Sequence, residues 1–500
     1  MDSPSKLFGR AGYISIKEYV EDITHMFEDG PWKLPLRFGD RAQLFFLKMV
    51  IRFSWFADNL YIVHPSNFSP AYVTLLSYMQ KKQLFDSITE RNLHSRGYFS
   101  YYLEKKAIVR GQTWVMSGQG VAEDKATAFS KALGEMIERA VSGMYDTNKD
   151  IVVASPDELM KRGPMIYPPK HHRFLSVQKE KFEELRHSSA DPIAWVEGTN
   201  LMTKEKTYIP RQITSWFSEN RNAKKNVLAH ATTNGAAGYF TKTGAVLRGL
   251  LEVIQRDAFL VHWLTMIPPR VIDQKTLPEK IREKIRQIEI LGLSLHVLDV
   301  TSLAIPSVFI AAINTYGKVP QVVLSGAAAL TFEEAIENAL REIIVIMEMF
   351  YYADGKAQSG YASIEPKPFV SNLGKVGRQL YWQGTHRVER FKWFISGESV
   401  SYSDACKGDI YCGGSDMDRL KKCLRILKDL GKDYYPTVYY PKNKIQDEIG
   451  FYIAQVYIPK AFPLYLVERY GTFESDRLQE FALSKGVSDW QLNPLPHMFS

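Results

Sequence analysis

Hydrophobic positions along the chain repeat with two periods. In 129–144, Phe129, Leu133, Met136, Ile137, Ala140 and Met144 recur at helical spacing, with Lys131, Glu135 and Glu138 on the opposite face. That pattern predicts an amphipathic helix with a solvated charged side. In 246–261 the apolar set is wider: Val246, Leu247, Leu250, Leu251, Val253, Ile254, Ala258 and Val261. They leave Arg248, Glu252, Gln255 and Arg256 in one narrow stripe. A helix apolar nearly all round is buried, and its charges then need partners. Glu252 and Arg256, at i,i+4, either pair with each other or face a polar ligand. A third helix is predicted over 334–347. Glu334, Asn338, Arg341 and Glu342 lie on one side, and Ile336, Ala339, Leu340, Ile343 and Met347 on the other.

Further helices are predicted at Ala42–Phe56, Tyr72–Phe85, Glu279–Ile290 and Arg419–Leu430. The last two are each followed by a glycine and an apolar run, LSLHVLDV and TVYY, which reads as helix stop and strand start. Val308–Asn314, Val322–Leu324 and Gly450–Ile458 are further strand candidates. Residues 356–378 lack a period and read as a loop, and the proline-containing 491–500 as an extended tail. Helices alternating with strands predict an α/β (α+β) layered fold. Residues 1–90 read as an N-terminal accessory domain, serving as a partner or peptide dock, and 91–500 as the main domain.

The three helices share a design. Each follows a small-residue stretch, read as a loop (SGQG, TTNGAAG, LSGAAAL), and carries a glutamate at nearly the same offset: Glu135, Glu252 and Glu342. Several carboxylate oxygens suit a hard cation such as Mg²⁺, arginines suit phosphate, and small residues let backbone approach a ligand. No GxxxxGK[ST] is present, and no GxGxxG follows a strand, so a nucleotide would be held in another way.

Lysine and arginine outnumber aspartate and glutamate by 63 to 55, a net charge of +8. This allows an anionic partner. The basic stretch 161–186 is not accompanied by a nucleic-acid module, so nucleic acid is not the expected partner. Three cysteines, Cys406, Cys412 and Cys423, form no CxxC pair and are too few for a disulfide framework. No signal peptide is visible, and no run reaches the roughly 20 apolar residues of a membrane span. The chain reads as cytoplasmic.

The three segments resemble the YcaO family of ATP-using enzymes. GEMIER at 134–139 is similar to the family's ExxER box. TTNGAAG at 232–238 with GLLEVIQRDAF at 249–259 is similar to its second box, and GAAALTFEEAIENALRE at 326–342 to its third. YIPRQI at 208–213 stands where the family has a strand. The resemblance implies a YcaO-type fold, with layered sheets and helices around a central ATP and Mg²⁺ site. It implies Glu135, Glu138, Glu252 and Glu342 as Mg²⁺ ligands. Arg139, Asn234, Arg248, Gln255, Arg256 and Arg341 would be the residues on ATP. The family phosphorylates a peptide amide oxygen. Cyclodehydratases let a Cys, Ser or Thr side chain attack that amide and form thiazolines or oxazolines; relatives form thioamides or amidines.

The chain departs from the pattern in places. Lys131 stands at the usual serine, Gln119 replaces the lysine of SGKG, Asn338 replaces an arginine, and Val345 a polar residue. The end, LNPLPHMFS, resembles the PxPxP tail of azoline-forming members, with Pro494 and Pro496 present and Met498 at the third proline. That resemblance gives the tail, with Pro494, Pro496 and the carboxylate of Ser500, a part in catalysis; a frayed end is the alternative. The implied partners are a ribosomal precursor peptide, a separate E1-like leader-binding protein and, in an azole pathway, a flavin dehydrogenase, with a homodimer allowed. A catalytically silent YcaO scaffold that only docks peptide remains an alternative.

Overall fold

The computed structural model describes residues 70–93, 98–109, 112–142, 150–161, 170–186, 188–214, 227–229, 231–290, 292–314, 321–352, 365–382, 387–410 and 413–498. The expected helix at 42–56 and most of the accessory domain lie outside these residues. The chain divides into two compact units, 1–140 with 447–451, and 141–446 with 452–500.

In the first unit, helix α1 (Pro70–Lys81) precedes a three-stranded antiparallel sheet of β1 (Ser87–Leu93), β2 (Tyr98–Val109) and β3 (Gln112–Ala122). Helix α2 (Lys125–Ala140) folds back onto β3 and β2. Its predicted stripe is the buried one: Phe129, Leu133, Met136, Ile137 and Ala140 are wholly inaccessible. SGQG lies inside β3, in place of the expected loop. Its glycines admit the helix. A Cβ on Gly118 would stand 2.4 Å from the carbonyl oxygen of Ala132, and one on Gly120 2.0 Å from that of Ala128.

The second unit contains two larger sheets. One joins β4 (Val152–Ala154), β6 (Ile193–Asn200), β14 (Thr437–Tyr439), β15 (Tyr452–Tyr457) and β8 (Ala236–Tyr239), with β7 (Lys206–Pro210) beside β6. The other runs β12 (Val322–Ala328), β11 (Ser307–Asn314), β10 (Leu293–Asp299), β9 (Arg270–Ile272) and β13 (Ser399–Val400). Their neighbours are antiparallel except β13 and β9. A short ribbon pairs β5 (His172–Arg173) with β16 (Glu474–Ser475). Strands β11 and β12 are apolar runs buried nearly throughout, as for strands covered on both faces.

Helix α3 (Lys242–Thr265) packs against β8 and β15 of one sheet and β12 and β11 of the other. That placement is why its apolar surface extends nearly all round. Helix α4 (Glu279–Glu289) and helix α5 (Phe332–Tyr352) cover the second sheet. Of the predicted apolar set on α5, Ile336, Ala339, Leu340 and Ile343 are fully buried. The third small-residue stretch is again a strand, β12, rather than a loop. Within 356–378, read as loop, helix α6 (Gly374–Tyr381) begins; Leu380 and Tyr381 on it are buried, a tertiary gain that a glycine-containing segment does not announce. Helices α7 (Asp416–Asp429) and α8 (Asp476–Ser484) complete the elements used below. Among the described residues, no helix is long and apolar enough to cross a membrane.

Candidate ATP and magnesium site

The first box is held by its own strand. Backbone N–H of Gln119 donates to Oε2 of Glu135 at 2.6 Å. Arg139 pairs with Glu135 one turn away and donates through Nη1 to the carbonyl (2.8 Å) and hydroxyl (3.3 Å) of Ser117. The face expected to be merely solvated is therefore half-buried and fixed, which suits a ligand-binding carboxylate. Glu138 is half-buried on the same helix. Lys131 turns back to the carbonyl of Val121 at 3.2 Å. Nε2 of Gln119 is buried without a protein hydrogen-bond acceptor.

The second box begins with a tight turn. Thr232 Oγ1 accepts from the N–H of Asn234 at 3.2 Å, and Ala236 N–H donates to Thr233 O at 2.9 Å. Gly235 has φ +77°, a left-handed value that favours glycine. A Cβ on Gly249 would stand 2.3 Å from the Gly235 carbonyl oxygen, so the turn rests directly on α3. The side-chain oxygen of Asn234 is buried there with no hydrogen-bond donor from the protein.

On α3, Thr241 caps the first turn by accepting from Gly244 N–H at 3.0 Å. Arg256 meets Glu252 at 2.6 Å, so the internal pairing weighed from sequence is made. Gln255 Nε2 donates to the Gly326 carbonyl at 2.7 Å, tying the second box to the strand of the third. Arg248 lies toward the helix start. It stacks on Tyr239, 3.6 Å from the ring centre, and reaches Asp416 at 3.3 Å.

In the third box Arg341 donates to Asn338 Oδ1 at 2.7 Å and lies 3.7 Å from Glu337. Glu337 also meets Lys280 at 2.8 Å and Lys284 at 3.4 Å. Glu342 is exposed on the following position.

Sequence reasoning missed Asp257. It is fully buried, accepts from Ser302 Oγ (2.9 Å) and Phe462 N–H (2.8 Å), and pairs with Arg477 at 2.6 Å. Burial alone would lower the Arg477 pKa, but Asp257 holds it above its ordinary value. Its sequence signal was a carboxylate inside the second box, GLLEVIQRDAF, set off the polar stripe of its helix.

The tail is not frayed through Met498. Asn493 N–H donates to Leu264 O (2.9 Å) and its Nδ2 to Trp263 O (3.1 Å) at the end of α3. Pro496, His497 and Met498 are buried, whereas Pro494 is exposed. Ser500 lies outside the described residues.

Among the described residues, no three His, Cys, Asp or Glu side chains converge as a metal cage. Mg²⁺ in phosphate-transfer sites is held by one or two carboxylates with phosphate oxygens completing its shell. Partly accessible Glu135 and Glu252, each braced by an arginine, fit that use. Each taken within its own unit, the Gln119 amide is a buried donor suited to a ligand oxygen and the Asn234 oxygen a buried acceptor suited to a ligand N–H or O–H.

The chain resembles several solved structures. A heterocyclase in complex with substrate and cofactor has a TM-score of 0.67 at 18% identity, covering 86% of this chain and 57% of that one. This chain thus spans little more than half the length of that relative. YcaO from Methanopyrus kandleri, bound with AMPPCP and Mg²⁺, has a TM-score of 0.54 at 18% identity, covering 80% and 94%. The E. coli microcin synthetase McbBCD complex with pro-MccB17 bound has 0.52 at 12%, covering 82% and 97%. At such identities these likenesses concern the fold. No curated protein sequence matches the chain. The family model of the YcaO cyclodehydratases, ATP- and Mg²⁺-binding, matches residues 117–461. That stretch contains all three boxes and more than half of the chain, which therefore belongs to the YcaO family.

Proposed function

We propose that this protein is an ATP-dependent peptide cyclodehydratase that forms thiazolines or oxazolines from Cys, Ser or Thr of a ribosomal precursor peptide. The family match over 117–461 carries this reading. Glu135, Glu138, Glu252 and Glu342 are the Mg²⁺-binding carboxylates in it, with Arg139, Asn234, Arg248, Gln255, Arg256 and Arg341 on ATP. When bound, ATP and Mg²⁺ supply the phosphoryl group and compensate its charge. The braced pairs Glu135–Arg139 and Glu252–Arg256 keep each carboxylate in one rotamer, so little ordering remains when ligand arrives. The thiol or hydroxyl of the peptide side chain gives up its proton as it attacks the carbonyl carbon of the preceding amide. The former carbonyl oxygen takes a phosphoryl group and leaves as phosphate, and the amide nitrogen loses its proton. The peptide loses one water overall, and ATP becomes ADP and phosphate.

The C-terminal tail, through Pro494, Pro496 and the Ser500 carboxylate, acts as the base for that proton. Its firm seating through Met498 favours a working part over a loose end. In this reading a separate E1-like protein presents the leader of the peptide, a flavin dehydrogenase follows where azoles are the end product, and the protein works in the cytoplasm. Two proteins of similar fold, a heterocyclase in complex with substrate and cofactor and the E. coli microcin synthetase McbBCD complex with pro-MccB17 bound, support a peptide substrate and a protein partner.

The test is product mass. Co-expression with a Cys/Ser/Thr-rich peptide encoded nearby and an E1-like partner should give about −18 Da per ring without added sulfide. A sulfide-dependent gain of about 16 Da would replace azoline formation with thioamide formation. No mass change with every partner present would favour the scaffold.

A further inference from the structure

The tail contains two prolines, which donate no backbone hydrogen bond. Its carbonyls are nonetheless taken up by two indoles. Trp263 Nε1 donates to Leu495 O at 3.3 Å, and Trp382 Nε1 to Pro496 O at 2.8 Å. At the end of α3, Asn493 N–H donates to the Leu264 carbonyl, and its Nδ2 donates to the Trp263 carbonyl, which also takes the Met266 N–H at 3.4 Å. Asn493 Oδ1 then accepts from Leu495 N–H at 3.0 Å.

Beneath this lies a charged group that packing alone does not require. Arg378 and His497 are both 0% exposed and Glu468 is 3% exposed. Arg378 meets Glu468 at 2.6 Å, donates to Tyr465 O at 3.0 Å and reaches Nε2 of His497. The His497 ring stands edge-on to Tyr465, 4.7 Å between centres. A buried ion pair contributes little net stability compared with an apolar replacement, and its best-attested use is to fix register. A tail held only by Leu492, Leu495 and Met498 could slide by a residue at little cost. A histidine that must meet a buried guanidinium cannot.

We propose that Arg378 is a positioning residue for the tail. With Glu468 and the indole of Trp382, it sets the register of 493–498 against the end of α3, the helix that also carries Glu252. This rests on the cyclodehydratase reading only where it concerns turnover. The anchor itself is a property of the tail and has its own readout.

The experiment uses the full chain, its partner protein and a peptide that the wild type dehydrates. The variants are Trp382→Phe, which keeps the aromatic bulk and removes one donor, and Arg378→Lys, which keeps the charge and removes the fork. Both should raise hydrogen exchange in 493–498 by about tenfold and lower kcat for ring formation by a similar factor. KM for the peptide and Kd for MgATP should stay within about twofold. Arg378→Lys with a wild-type melting temperature and wild-type kcat would overturn the proposal. So would loss of kcat that follows MgATP affinity or thermal stability down, with tail exchange unchanged. Trp382→Phe keeps the proposal falsifiable if Arg378→Lys fails to fold: loosened 493–498 with unchanged kcat refutes the positioning role. Failure of the wild type to dehydrate any peptide is a different result, which removes the cyclodehydratase reading and leaves the exchange measurement to judge the anchor.

Discussion

Helices α3 and α5 are built on one plan and serve it differently. Each follows a small-residue strand, each carries glutamates and arginines along one stripe, and each packs on the same sheet. Helix α3 is wedged against two sheets, and its stripe is engaged along its length: Arg256 turns to Glu252, Gln255 to a strand carbonyl, and Arg248 to Tyr239 and Asp416. Helix α5 has a freer flank, and other elements fill it. Lys280, Lys284 and Arg341 surround Glu337, and Arg419 grips Glu334 at 2.6 Å. A polar stripe on a buried helix is the more informative sign of a ligand, because burial makes every charge on it costly.

Replacing a member of the Asp257–Arg477 pair should have the largest effect. Asp257→Ala leaves a guanidinium buried without its carboxylate, and the loss expected is about 3–5 kcal/mol of unfolding free energy. Denaturant melts would check it. A loss below about 1 kcal/mol would mean that α3 does not depend on this buried charge. Arg477→Met with Asp257→Leu, which removes both charges, should recover most of it.

Acid comes next, and it separates the helices by pH. Burial pushes His262 on α3 down to about 4, with Lys485 and Arg477 opposing its charge and Asp299 and the Ile267 carbonyl favouring it. His172 is pushed down to about 3 for the same main reason. Both stay neutral in the folded chain where the unfolded chain takes up a proton. Stability is therefore full above about pH 6.5 and falls as pH drops from there toward 4, by about 3 kcal/mol for His262 alone. His262→Gln should flatten that window in melts taken from pH 7 to 4. An unchanged slope would show that the ring is protonated without penalty.

Much of this was legible in the sequence. Periodicity located α2, α3 and α5 and the apolar faces they bury, and glycine stops located α4, α7 and the strands after them. The Glu–Arg pairs at i,i+4 were readable because both partners sit on one helix. What was not legible depended on distant partners. Gly118 and Gly120 look like a flexible loop until a helix is seen lying on them. Asp257 finds its arginine 220 residues away, and Arg378 finds His497 119 away. No local pattern encodes such a pairing.

On ligand binding the comparison sharpens further. If the stripe of α3 is the one reserved for ligand, Glu252→Gln should weaken MgATP binding by roughly 10- to 100-fold, as loss of a charge-compensating carboxylate predicts. Glu342→Gln on the exposed side of α5 should cost less, roughly two- to tenfold. Calorimetric titration of MgATP into each variant decides it. Equal losses would mean the two helices share the ligand evenly, and no loss in either would remove both from the site.

The smallest effect belongs to Glu337, and its smallness is the point. It has three cationic neighbours, Lys280, Lys284 and Arg341, which invites a functional reading. Yet Lys280 is largely exposed, 65% by side chain, and its 2.8 Å contact is screened by water and salt. Burial alone would raise the pKa of Glu337, but Lys280 and Lys284 hold its carboxyl below the ordinary value. The pairing therefore contributes stability above the unfolded glutamate pKa and loses it as pH falls through the lower folded value. Such partly exposed pairs are worth about 0.2–1 kcal/mol. Glu337→Gln should lower stability by no more than about 1 kcal/mol at pH 7, with the difference shrinking in high salt and vanishing at low pH. MgATP affinity should not change. A large, salt-independent loss, or any loss of nucleotide binding, would show that α5 reserves its stripe as α3 does, and the contrast between the two helices would fall.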